Sequence, residues 1–245
     1  MIGLNPTIRS AQSVKPLPKE LITVDAIMDS LIQQFGKIED YTVKVKISVK
    51  MPRFRMPKKT IKLYFKQPDR VKVEAEGFAV VPKTGLGTSP VKMIEKLMAM
   101  RVIGTDTLRG YSCLVIEGTA ESDSGGAEAW TFGQKGSQRV RVRLWVDVTR
   151  WIIPQVETFF DTVRVMSIRS FYKEFEEGIQ LPTLTEIDFH LGGEYLATLG
   201  EHPGPFGEFQ DREGMEKFSG SVRMEFTGYK INRGLKDRIF KNTIF

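Results

Sequence analysis

Residues able to do acid–base or metal chemistry are few in this chain, and their spacing is wrong for it. There are two histidines, His190 and His202. A helical zinc site of the His-Glu-x-x-His type needs two imidazoles one turn apart so that both nitrogens share a face, and neither histidine stands in that frame. Asp188, His190, Glu194, Glu201 and His202 could surround a cation only if the segment between them folded back, and their spacing matches no ligand framework. For nucleophilic catalysis the chain offers serines without a Gly-x-Ser-x-Gly elbow. Glu174, Glu176 and Glu177 could be imagined as a general acid and base, but acids grouped after Phe171-Tyr172 read as a solvated run at a strand end. Gly85, Gly87, Gly104 and Gly110 lack the Gly-x-x-x-x-Gly-Lys-Ser/Thr spacing that cradles phosphates, which leaves them as turn residues. The expectation is a chain with no catalytic residues, no metal site and no cofactor.

The single cysteine, Cys113, lies in the apolar run Tyr111-Ser112-Cys113-Leu114-Val115-Ile116. It is read as a buried structural thiol, with no intrachain disulfide available. The 245 residues suffice for one domain with a sizeable core. With 41% hydrophobic and 27% charged residues, the composition is that of an ordinary globular protein. No apolar run is long enough for a spanning helix. Met1-Ile2-Gly3-Leu4-Asn5-Pro6 lacks the basic-then-apolar pattern of a secretory signal, so the chain is expected either to be cytoplasmic or to be given without its export segment. The net charge is +6, and between Tyr41 and Glu74 there are eleven Lys or Arg residues against two acids, Asp69 and Glu74. Such a face favours phosphate groups, anionic headgroups or an acidic partner. With Phe54, Tyr64 and Trp145 nearby it could also stack single-stranded nucleic acid. The regular alternation of the lysines instead marks them as the outer wall of a sheet, and no nucleic-acid partner is expected.

The elements that carry these residues follow from periodicity. Residues 1–19, with Pro6, Pro16 and Pro18, read as a flexible arm ahead of a single domain over 20–245. Val24, Ile27, Met28, Leu31, Ile32 and Phe35 recur at helical spacing between a capping Thr23 and a terminating Gly36. After Asp40 the period becomes two. Val43, Val45, Ile47 and Val49 alternate with Lys44, Lys46, Ser48 and Lys50; Ile61, Leu63 and Phe65 with Lys62, Tyr64 and Lys66; Val71 and Val73 with Lys72 and Glu74. Ser89 with Pro90 starts a second, Met-rich helix running to Met100 on the stripe Val91, Ile94, Leu97, Met98. Further strands are expected at Tyr111–Gly118, Arg139–Asp147, Ile152–Phe160, Thr162–Tyr172, Leu184–His190 and Ser221–Tyr229. Residues 192–220, with seven glycines, Pro203 and Pro205, read as a long inserted loop. Strands follow strands through short turns, so the sheet is antiparallel, and its apolar side must be covered by helices, a second sheet or a ligand.

A strand of about ten residues spans roughly 33 Å, comparable to an extended acyl chain, whose burial is worth about 0.8 kcal/mol per CH₂. A fully packed core is the alternative, and alternation alone does not separate the two. Several stretches together resemble the periplasmic lipoprotein-carrier superfamily, the LolA-like and LolB-like proteins and outer-membrane lipoprotein-sorting proteins. They are Glu39-Asp40-Tyr41, Leu63 to Glu74 with its Gln67-Pro68-Asp69-Arg70 turn, Arg109 to Ile116, Leu144 to Pro154 and Tyr229 to Phe240. The resemblance covers roughly residues 20–245. It implies a mainly β fold: a curved antiparallel sheet forming an unclosed β-barrel, its concave apolar face covered by the N-terminal and the second helix. It further implies a non-enzymatic carrier in the periplasm or cell envelope, holding lipid or the acyl chains of a lipoprotein, with a membrane-surface or envelope protein as possible partner and the chain acting as a monomer. No single binding residue carries over from the family. The candidate lining, taken from the inner faces, is Val45, Ile47, Val49, Leu63, Phe65, Val73, Phe78, Met93, Leu97, Val142 and Leu144. A structural domain docking an acidic partner on the basic outer face is the alternative function.

Overall fold

A computed structural model describes residues 23–51, 54–55, 57–75, 94–121, 139–192 and 217–241. Helix α1 (Val24–Gly36) begins where Thr23 Oγ1 accepts the Ala26 N–H at 3.2 Å and ends at the glycine that the sequence marks. It buries Ile27 and Leu31 against the sheet, whereas Ile32, part of the same apolar set, faces outward.

The strands are β1 (Asp40–Met51), the short β2 (Phe54–Arg55), β3 (Lys59–Lys66), β4 (Arg70–Ala75), β5 (Met98–Leu108), β6 (Tyr111–Glu121), β7 (Arg139–Asp147), β8 (Ile152–Phe160), β9 (Val163–Glu174), β10 (Gln180–Gly192) and β11 (Lys217–Ile231). All described pairings are antiparallel, in the order β4-β3-β1-β11-β10-β9-β8-β7-β6-β5, with β2 added beside β1. The strands β4 and β5 stand at opposite ends of this order, so the sheet is a curved, unclosed barrel. Two meanders make it, and β11 joins them by pairing with β1 through Val45↔Phe226, Ile47↔Met224 and Val49↔Val222.

A buried clasp holds that junction. Asp40 accepts hydrogen bonds from the backbone N–H groups of Arg233 (3.0 Å) and Leu235 (2.9 Å). Asn232 Oδ1 accepts the Glu39 N–H at 2.8 Å, and its Nδ2 donates to the Lys37 carbonyl at 2.9 Å. A second buried aspartate shapes the β7–β8 turn: Asp147 accepts from the Thr149 N–H at 2.7 Å and pairs with Arg150 at 2.7 Å. These are the Glu39-Asp40-Tyr41, Tyr229-to-Phe240 and Leu144-to-Pro154 stretches on which the resemblance rests.

The alternating apolar residues face inward. Val43, Val45, Ile47, Leu63, Val142 and Leu144 all belong to one buried cluster with Ile27 and Leu31 of α1. The convex face carries ion pairs. Glu117 gathers Arg101 (3.1 Å), Arg143 (2.9 Å) and Arg141 (3.8 Å), and Arg223 bridges Glu186 and Glu225. Lys44 stands directly opposite Lys62. Trp145 is covered on this side by Cys113 and Val115 and donates its indole N–H to Asp106 at 2.9 Å. Cys113 is buried, and burial pushes its thiol up to about 12.

Two expectations are corrected. The Met-rich helix does not reach Met100: the described part shows Ile94 at a helical turn, and Met98 already opens β5, a strand that periodicity did not reveal. The reason is that β5 is an edge strand in which no residue is fully buried, with register shifts at Met98/Arg101 and Val102/Gly104 that erase a period of two. The inserted loop is shorter than 192–220, because Lys217–Gly220 pair with β10. Gly220 is required there, since a Cβ would stand 2.5 Å from the Phe189 ring. The arm 1–19 and residues 193–216 lie outside the described residues.

Candidate functional site

Sheet curvature leaves a space on the concave side that α1 roofs without filling. It is a cavity of about 180 Å³. An engineered apolar cavity of about 150 Å³ accepts benzene, so this one accommodates a short section of hydrocarbon chain. The helix supplies Leu31, Gln34 and Phe35, followed by Ile38; the first meander supplies Tyr41, Leu63 and Phe65; the second supplies Leu144, Ile152, Ile153, Val156 and Ile168, with Trp151 from the β7–β8 turn. The remaining wall is β9–β11, with Ser170, Tyr172, Gln180, Leu181, Pro182, Thr185, Phe226 and Tyr229, and Ile94 closes it from before β5. The space lies between the main core and a smaller cluster of Ile38, Phe65, Ile179 and Leu181.

Aromatic rings make one end rigid. Phe35 meets Phe65 edge-on at 5.7 Å, Tyr41 stacks on Phe65 at 5.1 Å, and Tyr229 meets Tyr41 edge-on at 5.6 Å. The polar ends of the wall residues are largely tied to backbone. Gln34 donates to the Gly178 carbonyl at 2.7 Å, Tyr229 to the Pro182 carbonyl at 2.8 Å, and Tyr172 to the Ile153 carbonyl at 3.3 Å. Burial pushes the Tyr172 phenol up to about 12, with the Ser170 hydroxyl and the Ile153 backbone pulling partly against it. Burial raises Tyr41 and Tyr229 as well. Ser170 and Thr185 share a hydrogen bond of 3.2 Å in the wall. No charged side chain is among the described residues lining the cavity.

Such a lining holds neutral, apolar groups and offers no general acid or base near neutrality. Among the described residues no group of three or more His, Cys, Asp or Glu side chains comes together. Glu174 and the pair Glu176–Glu177 sit exposed around a single 3₁₀ turn, with Glu174 accepting a bond from Gln180 at 3.0 Å.

Of the candidate lining residues, Leu63, Phe65 and Leu144 stand in the cavity wall. Val45, Ile47, Val49, Val142 and Leu97 are packed into the solid core, and Val73 lies against its edge. Phe78 and Met93 lie outside the described residues. The N-terminal helix is an expected cover, but its lining residues Leu31, Gln34 and Phe35 and those of β8 to β11 are not among the candidates. A signal existed for Ser170, which breaks the apolar stripe Met166, Ile168, Tyr172 on the inward face of β9. Trp151 had none: it reaches the wall from a turn, at a positive φ of 52°.

No protein-family model and no curated protein matches the chain. Solved structures do. A LolA superfamily protein from Nitrosomonas europaea superposes with a TM-score of 0.54 at 12% identity, over 89% of this chain and 97% of the other. A DUF1329 family protein from Desulfovibrio piger gives 0.53 at 12% identity, over 89% and 97%. A putative outer membrane lipoprotein-sorting protein domain from Vibrio parahaemolyticus gives 0.52 at 9% identity, over 87% and 95%. The chain therefore has the LolA-like fold.

Proposed function

We propose that this protein is a non-enzymatic carrier that holds lipid, or the acyl chains of a lipoprotein, between α1 and the concave face of its sheet, for transport or sorting in the bacterial cell envelope. One observation carries the proposal: an uncharged, mainly apolar cavity sits where a one-sided sheet meets its covering helix. A fold alone does not fix a function, but an unfilled apolar space in the core forgoes packing that a filled one would gain, and a ligand recovers it. The envelope is supported by the likeness in fold to the putative outer membrane lipoprotein-sorting protein domain from Vibrio parahaemolyticus. Mechanism here means burial and release, with no bond made or broken. Native mass spectrometry of gently purified protein is expected to show co-purified lipid that leaves on organic extraction; protein that neither carries lipid nor takes it up from detergent-free vesicles overturns the proposal.

A second role rests on a separate observation. Like charges directly opposite in a sheet are destabilising, yet Lys44 faces Lys62, with Lys46 on the same exposed side. Lys62 meets Glu74 on its other side and Lys46 lies 4.0 Å from Glu225, so Lys44 is the position that an acidic partner would complement. Changing Lys44, Lys46 and Lys62 together to Glu is expected to abolish such docking and to leave lipid uptake within about twofold; unchanged docking excludes this face.

A further inference from the structure

The Ser170–Thr185 pair is where two hydroxyls of the cavity wall bond each other and not the backbone. The two residues are directly opposite on β9 and β10, both on the concave side, and only 9% and 6% exposed. Their neighbours along the wall are Ile168 and Tyr172 on β9, and Gln180, Leu181 and Pro182 on β10, with the Tyr172 hydroxyl given to the Ile153 carbonyl. A hydroxyl in such a position costs free energy unless it is hydrogen-bonded. A single bond joins the two hydroxyls. Each hydroxyl carries one hydrogen and two lone pairs; the Ser170 hydroxyl also bonds the Tyr172 phenol oxygen, and with Ser170 donating across the strands to Thr185 it is the Thr185 hydrogen that is left to give.

Charge adds a second, independent constraint. With no Lys, Arg or His among the described lining residues, a carboxylate entering the cavity would lose its hydration without gaining a counter-ion, a cost that usually forces protonation instead. A neutral ester carbonyl carries no such cost and accepts the spare hydrogen.

Resting on the carrier reading above, we infer that Ser170 and Thr185 form a carbonyl subsite, and that the cavity takes neutral acyl esters in preference to free fatty acids or plain hydrocarbons. The acyl carbons beyond the carbonyl then run along Ile168 and Val156, towards Trp151.

The test uses the full chain with three probes sharing one hydrocarbon chain length and delivered from cyclodextrin: methyl palmitate, palmitate and hexadecane, read by native mass spectrometry and by the intrinsic tryptophan fluorescence to which Trp151 contributes. At pH 8 the ester is expected to bind at least about tenfold tighter than either of the others. Palmitate is expected to gain affinity as the pH is lowered towards the ordinary carboxyl range of about 4–5. Ser170→Ala with Thr185→Val is expected to erase the ester's advantage while leaving hexadecane within about twofold. Should that double variant fail to fold, Thr185→Val alone is expected to cut the advantage severalfold, and the ranking of the three probes on the unaltered protein needs no variant. Equal binding of all three probes, or palmitate outranking the ester at pH 8, overturns the subsite and leaves the carrier reading standing. Binding of none of them removes both.

Discussion

Ile168→Trp is the perturbation that most directly asks whether the cavity is the binding site. Ile168 lies on the inward face of β9, half-way along the wall, packed against the core without being part of its sealed interior. Indole in place of the isoleucine side chain adds about six non-hydrogen atoms, close to the content of a cavity that accepts benzene. The space is about 180 Å³, so the added ring consumes most of it. At about 0.8 kcal/mol per buried CH₂, roughly six displaced methylenes amount to about 5 kcal/mol of gross binding free energy. Outward movement of α1 returns part of that. An expected loss of about 3 kcal/mol is still a hundredfold rise in Kd. Because the ring enters empty space, overpacking is limited and stability is expected to stay within about 1–3 kcal/mol of the parent. The assay is equilibrium binding of a fluorescent acyl ester, with thermal unfolding as the control for folding and Ile168→Val as the control for substitution. A folded Ile168→Trp protein that binds as tightly as the parent refutes the placement of the ligand.

Alkaline pH tests the buried phenols. Tyr172 is held neutral up to about 12, and Tyr41 and Tyr229 are raised in the same direction. Between the ordinary value near 10 and the folded one, the unfolded chain has lost protons that the folded chain retains, so stability falls as pH rises through that window. Unfolding midpoints are expected to drop from pH 10 to 12, with a shallower slope in Tyr172→Phe; an equal slope removes Tyr172 as a cause. Cys113, raised to about 12 and buried, is expected to react with thiol reagents only on unfolding, and rapid labelling of native protein contradicts its placement. Asp147→Ala removes the acceptor for two backbone N–H groups, those of Thr149 and Arg150, and is expected to cost about 2–4 kcal/mol in denaturant unfolding. A change under about 0.5 kcal/mol means that the turn does not depend on the carboxylate.

Local pattern made much of the fold legible. Where one face of a strand is buried, side chains alternate with a period of two, and Val43 to Val49, Ile61 to Phe65 and Val140 to Val146 showed that alternation and indeed face inward. The capping Thr23 and the terminal Gly36 bounded α1 for equally local reasons. Periodicity failed at β5, since an edge strand with bulges has no buried face to alternate, and the apolar spacing of Val91, Ile94, Leu97 and Met98 read as helix instead.

The amino-acid sequence by itself determined which side of each strand is apolar, and that the chain lacks the spacings needed for a catalytic zinc, a nucleophile elbow or a phosphate loop. Only the tertiary structure decided which of those apolar residues meet a neighbour and which meet a space. Val45 and Leu63 are alike in pattern, yet the first is sealed in the core and the second stands in the cavity wall. The physical reason is that packing is a relation between side chains far apart in the chain. Register sets Ser170 against Thr185, the clasp of Asp40 to the chain beyond Asn232 joins the two meanders, and the curvature so fixed leaves α1 spanning more volume than its side chains fill.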